Sequence, residues 1–161
     1  MPLLVVRHGH AGRRSAYKGD DRTRPLSKRG LVQALALVPV LSDYRPQRIL
    51  SSPFVRCCET VRPTAEALGL PVESIDELAE GHGAEAVLLM ERMAGESAVL
   101  CTHGDVTAEV LDSLIGKSGD QKGSTMRLQK GDVWVIRSTG SSLSIVEHIR
   151  LATVSDRPST E

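Results

Sequence analysis

Arg7-His8-Gly9 and Thr102-His103-Gly104-Asp105 each terminate a run of apolar residues, Leu3 to Val6 in the first case and Ala98 to Cys101 in the second. A third short run ends at Ser51-Ser52, and Arg56 follows about one helical turn later. Charged and imidazole groups at the end of a buried strand are costly unless a ligand needs them there. Two guanidiniums and two helix N-termini would make a pocket for a multiply charged anion, and phosphate is the natural candidate. The planar fork of arginine suits an oxyanion better than the point charge of lysine. A neutral imidazole can attack phosphorus and carry the phosphoryl group until water removes it. A second imidazole can donate to the transferring oxygens, over which transition-state charge is spread. Gly9 and Gly104, directly after the histidines, are expected to let the chain turn and to leave room for the ligand. Asp76, Glu77 and Glu80 could supply a proton to a leaving alkoxide. Glu80, in a glycine-flanked loop, is the favoured one, because a carboxyl beside a dianion is pushed towards its protonated form.

The elements around these clusters alternate between strand and helix. Residues 3–6 read as a strand and residues 9–26 as a long, charged surface loop. Ser27 then reads as the N-cap of a helix whose apolar face would be Leu31, Ala34, Leu35 and Val38. Pro39 should kink or end that helix, and Pro63 should disturb the next, which Gly69 closes. A helix after His103 would be capped by Gly116. The last third reads as hairpin strands over 124–129, 132–137 and 142–150, with a Lys130-Gly131-Asp132 turn. Such alternation predicts α/β architecture, a mostly parallel sheet with helices on both faces. Ligands in such sheets bind beyond the carboxyl ends of the strands, so all three polar clusters should meet at one edge.

Composition narrows the function. The chain has 161 residues, zero formal net charge, one Trp, one Phe and two Tyr. That balance argues against a nucleic-acid polymer or a membrane surface as partner, and it leaves few aromatic platforms for base stacking. Cys57, Cys58 and Cys101 fit neither a disulfide framework nor a structural zinc site, so a cytoplasmic protein with reduced thiols is expected. No signal-peptide pattern or membrane-length apolar run is present. One domain is expected over residues 1–152, followed by a polar tail over 153–161.

The motifs "VVRHG", "SSPFVRCCET" and "CTHGD", in this order, resemble the three signatures of the histidine phosphatase superfamily, the phosphoglycerate-mutase-like group. The resemblance covers essentially the whole chain. It implies a three-layer α/β/α sandwich and phosphoryl transfer without a metal or other cofactor. By motif match His8 would be the phosphorylated nucleophile. Arg7, Arg56 and His103 would form the phosphate pocket with help from Ser52, and Glu80 of Leu78-Ala79-Glu80 would be the acid. The stretch "RPLSKRG" looks like the compact SixA type, which acts on phosphohistidine in proteins. "GDDRTRPLSKRG" is similar to the phosphatase half of Nudix–histidine-phosphatase fusions, although no Nudix box is present here. The expected partner is therefore a phosphorylated small molecule or a phosphohistidine protein. A phosphomutase and a phosphate-binding module without turnover are the alternatives.

Other polar residues have simpler readings. His10 and His82 belong to the rim or the surface, and His148 is structural. In the basic cluster of the 9–26 loop, Arg24 is the residue expected to meet an anionic substrate. Trp134 and Cys101 are packing residues.

Overall fold

The computed structural model describes residues 1–118 and 126–151; the expected polar tail lies outside the described residues. A six-stranded sheet has the order β3-β2-β4-β1-β5-β6, with β1 at Leu3–Arg7, β2 at Arg48–Ser51, β3 at Val72–Ser74, β4 at Ala98–Thr102, β5 at Val133–Thr139 and β6 at Ser142–Ile149. The first four in this order run parallel, whereas β5 pairs antiparallel with β1 and β6 antiparallel with β5. Helices α1 (Lys28–Ser42), α2 (Val55–Leu68), α3 (Gly83–Arg92) and α4 (Gly104–Ser118) complete the layers.

Alternation along the strands divides the core in two. Leu3, Val5, Leu50, Leu100, Trp134 and Ile136 pack with Leu89, Met90, Val110 and Leu114 of α3 and α4. Leu4, Val6, Ile49, Val99, Val133 and Val135 pack with Leu37 and Leu41 of α1 and with Cys57, Val61 and Ala65 of α2. Strands buried on both faces are continuous apolar runs, which is why Leu3–Val6 shows no polar alternation. Each fully buried aliphatic side chain contributes about 1.5–3 kcal/mol relative to exposure. Cys101 and Trp134 are fully buried, as expected of packing residues.

Several local expectations are corrected. Ser27 caps α1, its hydroxyl accepting from Gly30 N, but the helix buries Gly30, Ala34, Leu37 and Leu41 rather than Leu31, Leu35 and Val38. Leu31 and Leu35 are exposed. The two stripes are nearly equal in apolar content, and the steric need for Gly30 selects between them. A Cβ on Gly30 would stand 2.0 Å from the His10 carbonyl oxygen, so this face is fixed against residue 10. α1 runs on past Pro39 to Ser42, and α2 continues through Pro63. α4 passes through Gly116 instead of ending there, while Gly69 does close α2 in the left-handed conformation. Of the strand expected over 124–129, the described part, Met126 to Gln129, is not a strand. Its carbonyls serve side chains: Trp134 Nε1 donates to Met126 O at 2.7 Å and Arg7 to Leu128 O at 2.9 Å.

Gly30→Ala gains helix propensity but forces residue 10 away from α1. Urea unfolding should show a net loss of about 1–3 kcal/mol, the range for an overpacked contact.

Candidate active site

Parallel pairing of β1 with β4 aligns Arg7 with Thr102, and His8 N donates to Thr102 O at 3.0 Å. Ser52 N donates to Cys101 O at 2.9 Å on the other side of β4. Strand register thus brings the ends of β1, β2 and β4 to one place. The His8 and His103 ring centroids lie 5.4 Å apart at an interplanar angle of 66°.

His8 Nδ1 lies 2.8 Å from Gly9 O, a contact that places the ring proton on Nδ1 and leaves the Nε2 lone pair free. Burial pushes His8 down to about 3; the Gly9 carbonyl opposes the shift, and the charges of His103, Arg56 and Arg7 reinforce it. Its imidazole is therefore neutral at pH 7. Gly9 itself makes room for α1 rather than for a ligand, since a Cβ there would meet Gln33 Oε1 at 3.1 Å and Gly30 O at 3.3 Å. Gly9 N donates to Thr60 Oγ1 at 3.0 Å, and Thr60 in turn bonds Arg56 O at 2.7 Å. Neither Gly9 nor Gly104 has a positive φ, so neither uses the left-handed conformation that favours glycine.

Arg56 is almost completely buried in α2 and is held by Asp21. One terminal nitrogen donates to Asp21 O at 2.8 Å and the other to the Asp21 carboxylate at 3.1 Å. The same carboxylate pairs with Arg24 at 2.9 Å and Arg14 at 3.2 Å. Burial pushes the Asp21 carboxyl up, but hydrogen bonds and charge from Arg24 and Arg56 outweigh it and hold the group below the ordinary carboxylate range. Arg24 also donates to Ala11 O and Gly12 O, at 2.7 and 3.1 Å, so most of its donors fix the 9–26 loop. Asp21 is the important residue that sequence reasoning missed. Its spacing from Arg24 would have been the available signal, an i, i+3 pair across one 3₁₀ turn.

His103 is anchored through Nε2, 2.8 Å from Ser52 Oγ and 3.5 Å from Cys57 Sγ. Ser52 therefore holds His103. The Phe54 ring packs edge-on against His103 at 4.6 Å, and the Arg56 guanidinium sits 4.9 Å from the Phe54 centroid. Arg7 occupies the space above Gly104, where a Cβ would come within 2.8 Å of the guanidinium. Arg7 Nε, Arg56 Nε and His103 Nδ1 are buried with no hydrogen-bond partner among the described residues.

Glu80 reaches the site from the loop after β3. Gly81 N donates to Asp105 Oδ2 at 2.8 Å and Thr102 Oγ1 to Leu78 O at 2.6 Å, which pins that loop to β4 and α4. Glu80 Oε1 lies 2.6 Å from Arg14 and Oε2 lies 3.5 Å from Arg56. A cavity of about 290 Å³ is lined by Arg7, His8, Arg56, Glu80, His103 and Gly104. Arg14, Arg24 and Lys130 complete its cationic wall. Gly9 and Ser52 are not part of its lining. None of the expected rim and structural histidines lines this cavity: His10 bonds Ser27 Oγ at 2.7 Å, His82 precedes α3, and His148 in β6 lies 3.2 Å from Asp132. A neutral imidazole with a free lone pair, faced by fixed cations, is an arrangement that can attack an electrophilic phosphorus.

Asp21→Asn removes the carboxylate shared by three guanidiniums. The variant should lose about 1–2 kcal/mol in urea unfolding at pH 7. The native group's contribution is present above its unfolded pKa of about 3.9 and fades as pH falls through its lower folded value. The gap between the two proteins should therefore close below about pH 4.

The profile of the Histidine phosphatase superfamily (branch 1) matches residues 3–87. The chain is 39% identical over 144 residues to an 8-oxo-(d)GTP phosphatase of Mycolicibacterium smegmatis, a match spanning 81% of this chain and 44% of that protein. It thus covers less than half the length of that relative. Identity to a phosphohistidine phosphatase SixA homolog of Haemophilus influenzae is 27% over 132 residues, 73% of this chain and 79% of the other. The structure of a putative phosphohistidine phosphatase SixA from Agrobacterium tumefaciens superposes with a TM-score of 0.76 at 22% identity, covering 92% of this chain and 96% of that one. Matched motifs and shared fold agree: the chain belongs to the histidine phosphatase superfamily, branch 1.

Proposed function

We propose that this phosphatase works through a phosphohistidine on His8, with a phosphorylated small molecule or a phosphohistidine protein as substrate. The observation that carries the reading is the neutral, buried His8, whose free Nε2 shares a cavity with Arg7, Arg56 and His103. Substrate phosphate takes its place among these cations. Nε2 attacks phosphorus in line with the leaving group, and the Nε2–P bond forms as the bond to the leaving group breaks. Arg7, Arg56 and His103 stabilise the charge on the equatorial oxygens. The Gly9 carbonyl, accepting from Nδ1, stabilises the charge that the ring gains on attack. Water then cleaves the Nε2–P bond and releases phosphate. Glu80 lines the cavity, so it can protonate an ester's alkoxide; a nitrophenolate leaves without that help.

His8→Ala should abolish turnover of p-nitrophenyl phosphate in a protein with unchanged circular dichroism. Quenching the wild type with labelled substrate in alkaline denaturant would trap an acid-labile phosphoenzyme only if water attack limits turnover; full activity in His8→Ala rejects the mechanism. The phosphoenzyme should decay to inorganic phosphate, whereas transfer back to product marks a mutase. Phosphate binding without any turnover marks a binding module. Glu80→Gln should lower kcat on an alkyl phosphate by about 10²-fold or more, the usual contribution of a general acid, and leave p-nitrophenyl phosphate much less affected.

A further inference from the structure

A second cationic cavity adjoins the first. It has a volume of about 410 Å³, and His10, Arg29, Gln33 and Lys130 line it together with Arg7 and Asp132. Arg7 and Lys130 belong to both walls, so the two spaces meet along these side chains. The wall is built rather than incidental. Gln33 Oε1 accepts from His10 N at 2.7 Å while its Nε2 donates to Lys130 O at 3.4 Å, tying two loops to α1. Gly131 N donates to Arg7 O at 2.9 Å, and Asp132 N donates to Gln129 O at 3.0 Å.

Among the described residues the charge in this space is one-sided. The single carboxylate they give the wall, Asp132, already accepts from Gln129 N, from Leu151 N and from the His148 ring, at 3.0, 3.0 and 3.2 Å. Burial lowers the Lys130 ammonium from its ordinary value, and the charges of Arg7, Arg24, Arg29 and Arg56 lower it further. His10 is lowered by burial and by Lys130 and Arg29. Like charges crowded in this way are relieved by an anion.

We infer that Arg29, Lys130 and His10 form a second anion subsite beside the phosphoryl site, and that it takes the inner phosphate of a phosphoanhydride whose terminal phosphoryl group faces His8, so that the substrate class is an organic diphosphate. The inference rests on the function proposed above and narrows it. His8 Nε2 attacks the phosphorus in the first cavity, and the bond from that phosphorus to the bridging oxygen breaks. The organic monophosphate departs as an oxyanion on Lys130 and Arg29, needing no proton from Glu80. Water then hydrolyses the phosphohistidine.

Titration calorimetry with inorganic pyrophosphate and inorganic phosphate separates this inference from the catalytic reading. The subsite predicts roughly tenfold tighter binding of pyrophosphate, from added charge-assisted hydrogen bonds, and loss of that preference in Arg29→Gln and Lys130→Gln. In kinetics, the ratio of kcat/KM for ADP to that for p-nitrophenyl phosphate should fall by about tenfold in Arg29→Gln. Arg29→Lys should restore part of it. Equal binding of the two anions, or an unchanged ratio in the variants, overturns the subsite while leaving the His8 mechanism intact. A protein inactive on every substrate but showing the pyrophosphate preference would retain the subsite and lose the mechanism. Tight binding of pyrophosphate that the variants do not weaken also rejects it.

Discussion

Pairing of β1 with β4 in parallel register is the constraint on which the site depends. It sets Arg7 beside Thr102, and the next residue on each strand is a histidine. A slip of one residue would turn every side chain of β1 to the opposite face. Leu4 and Val6 would exchange cores with Leu3 and Val5, so the apolar packing of two layers enforces the placement of His8. The imidazole hydrogen-bonds through Nδ1 to the next residue's carbonyl, and its orientation is thereby coupled to the same backbone.

Around this fixed centre the cations are held by different means. Arg7 is seated by the space above Gly104 and by the Leu128 carbonyl. Arg56 depends on Asp21 in a loop that is distant in sequence. His103 depends on Ser52 at the end of β2. Each tether comes from a different segment, so assembly of the pocket requires the whole fold rather than one local motif. Burying three positive or imidazole groups together is unfavourable in itself. Asp21 and the backbone carbonyls offset part of that cost, and the proposed substrate oxyanion would complete the compensation.

The legible part of the sequence was the part governed by local rules. Alternating elements, apolar strands on two faces, the Ser27 cap, the Gly69 stop and the meeting of His8, Arg56 and His103 follow from periodicity, capping and the strand-end rule. What was not legible required knowledge of partners. The buried face of α1 was misplaced because Leu31 and Leu35 are as apolar as Leu37 and Leu41, and only the approach of His10 to Gly30 decides between them. Gly9 and Gly104 were expected to face a ligand; Gly9 meets α1, and Gly104 lines the cavity but is filled by the Arg7 guanidinium. Arg24 was read as a substrate contact, although its donors largely hold its own loop. Met126 to Gln129 had strand-like composition, yet their carbonyls are drawn to Trp134 and Arg7. Lys130 had no local signal, because its neighbours in space come from β1 and α1.

The 9–26 loop packs only a small apolar cluster, Ala11 and Leu26 against Ala34, while Asp21 joins it to Arg56 of α2 and Arg14 joins it to Glu80. Those joints are ion pairs, and mobile ions weaken exposed ion pairs more than they weaken strand pairing. Raising ionic strength would loosen the cover before it disturbed the floor. An incoming polyanion competes with Asp21 and Glu80 for the same guanidiniums, so capture of ligand and release of the cover draw on one shared set of charges.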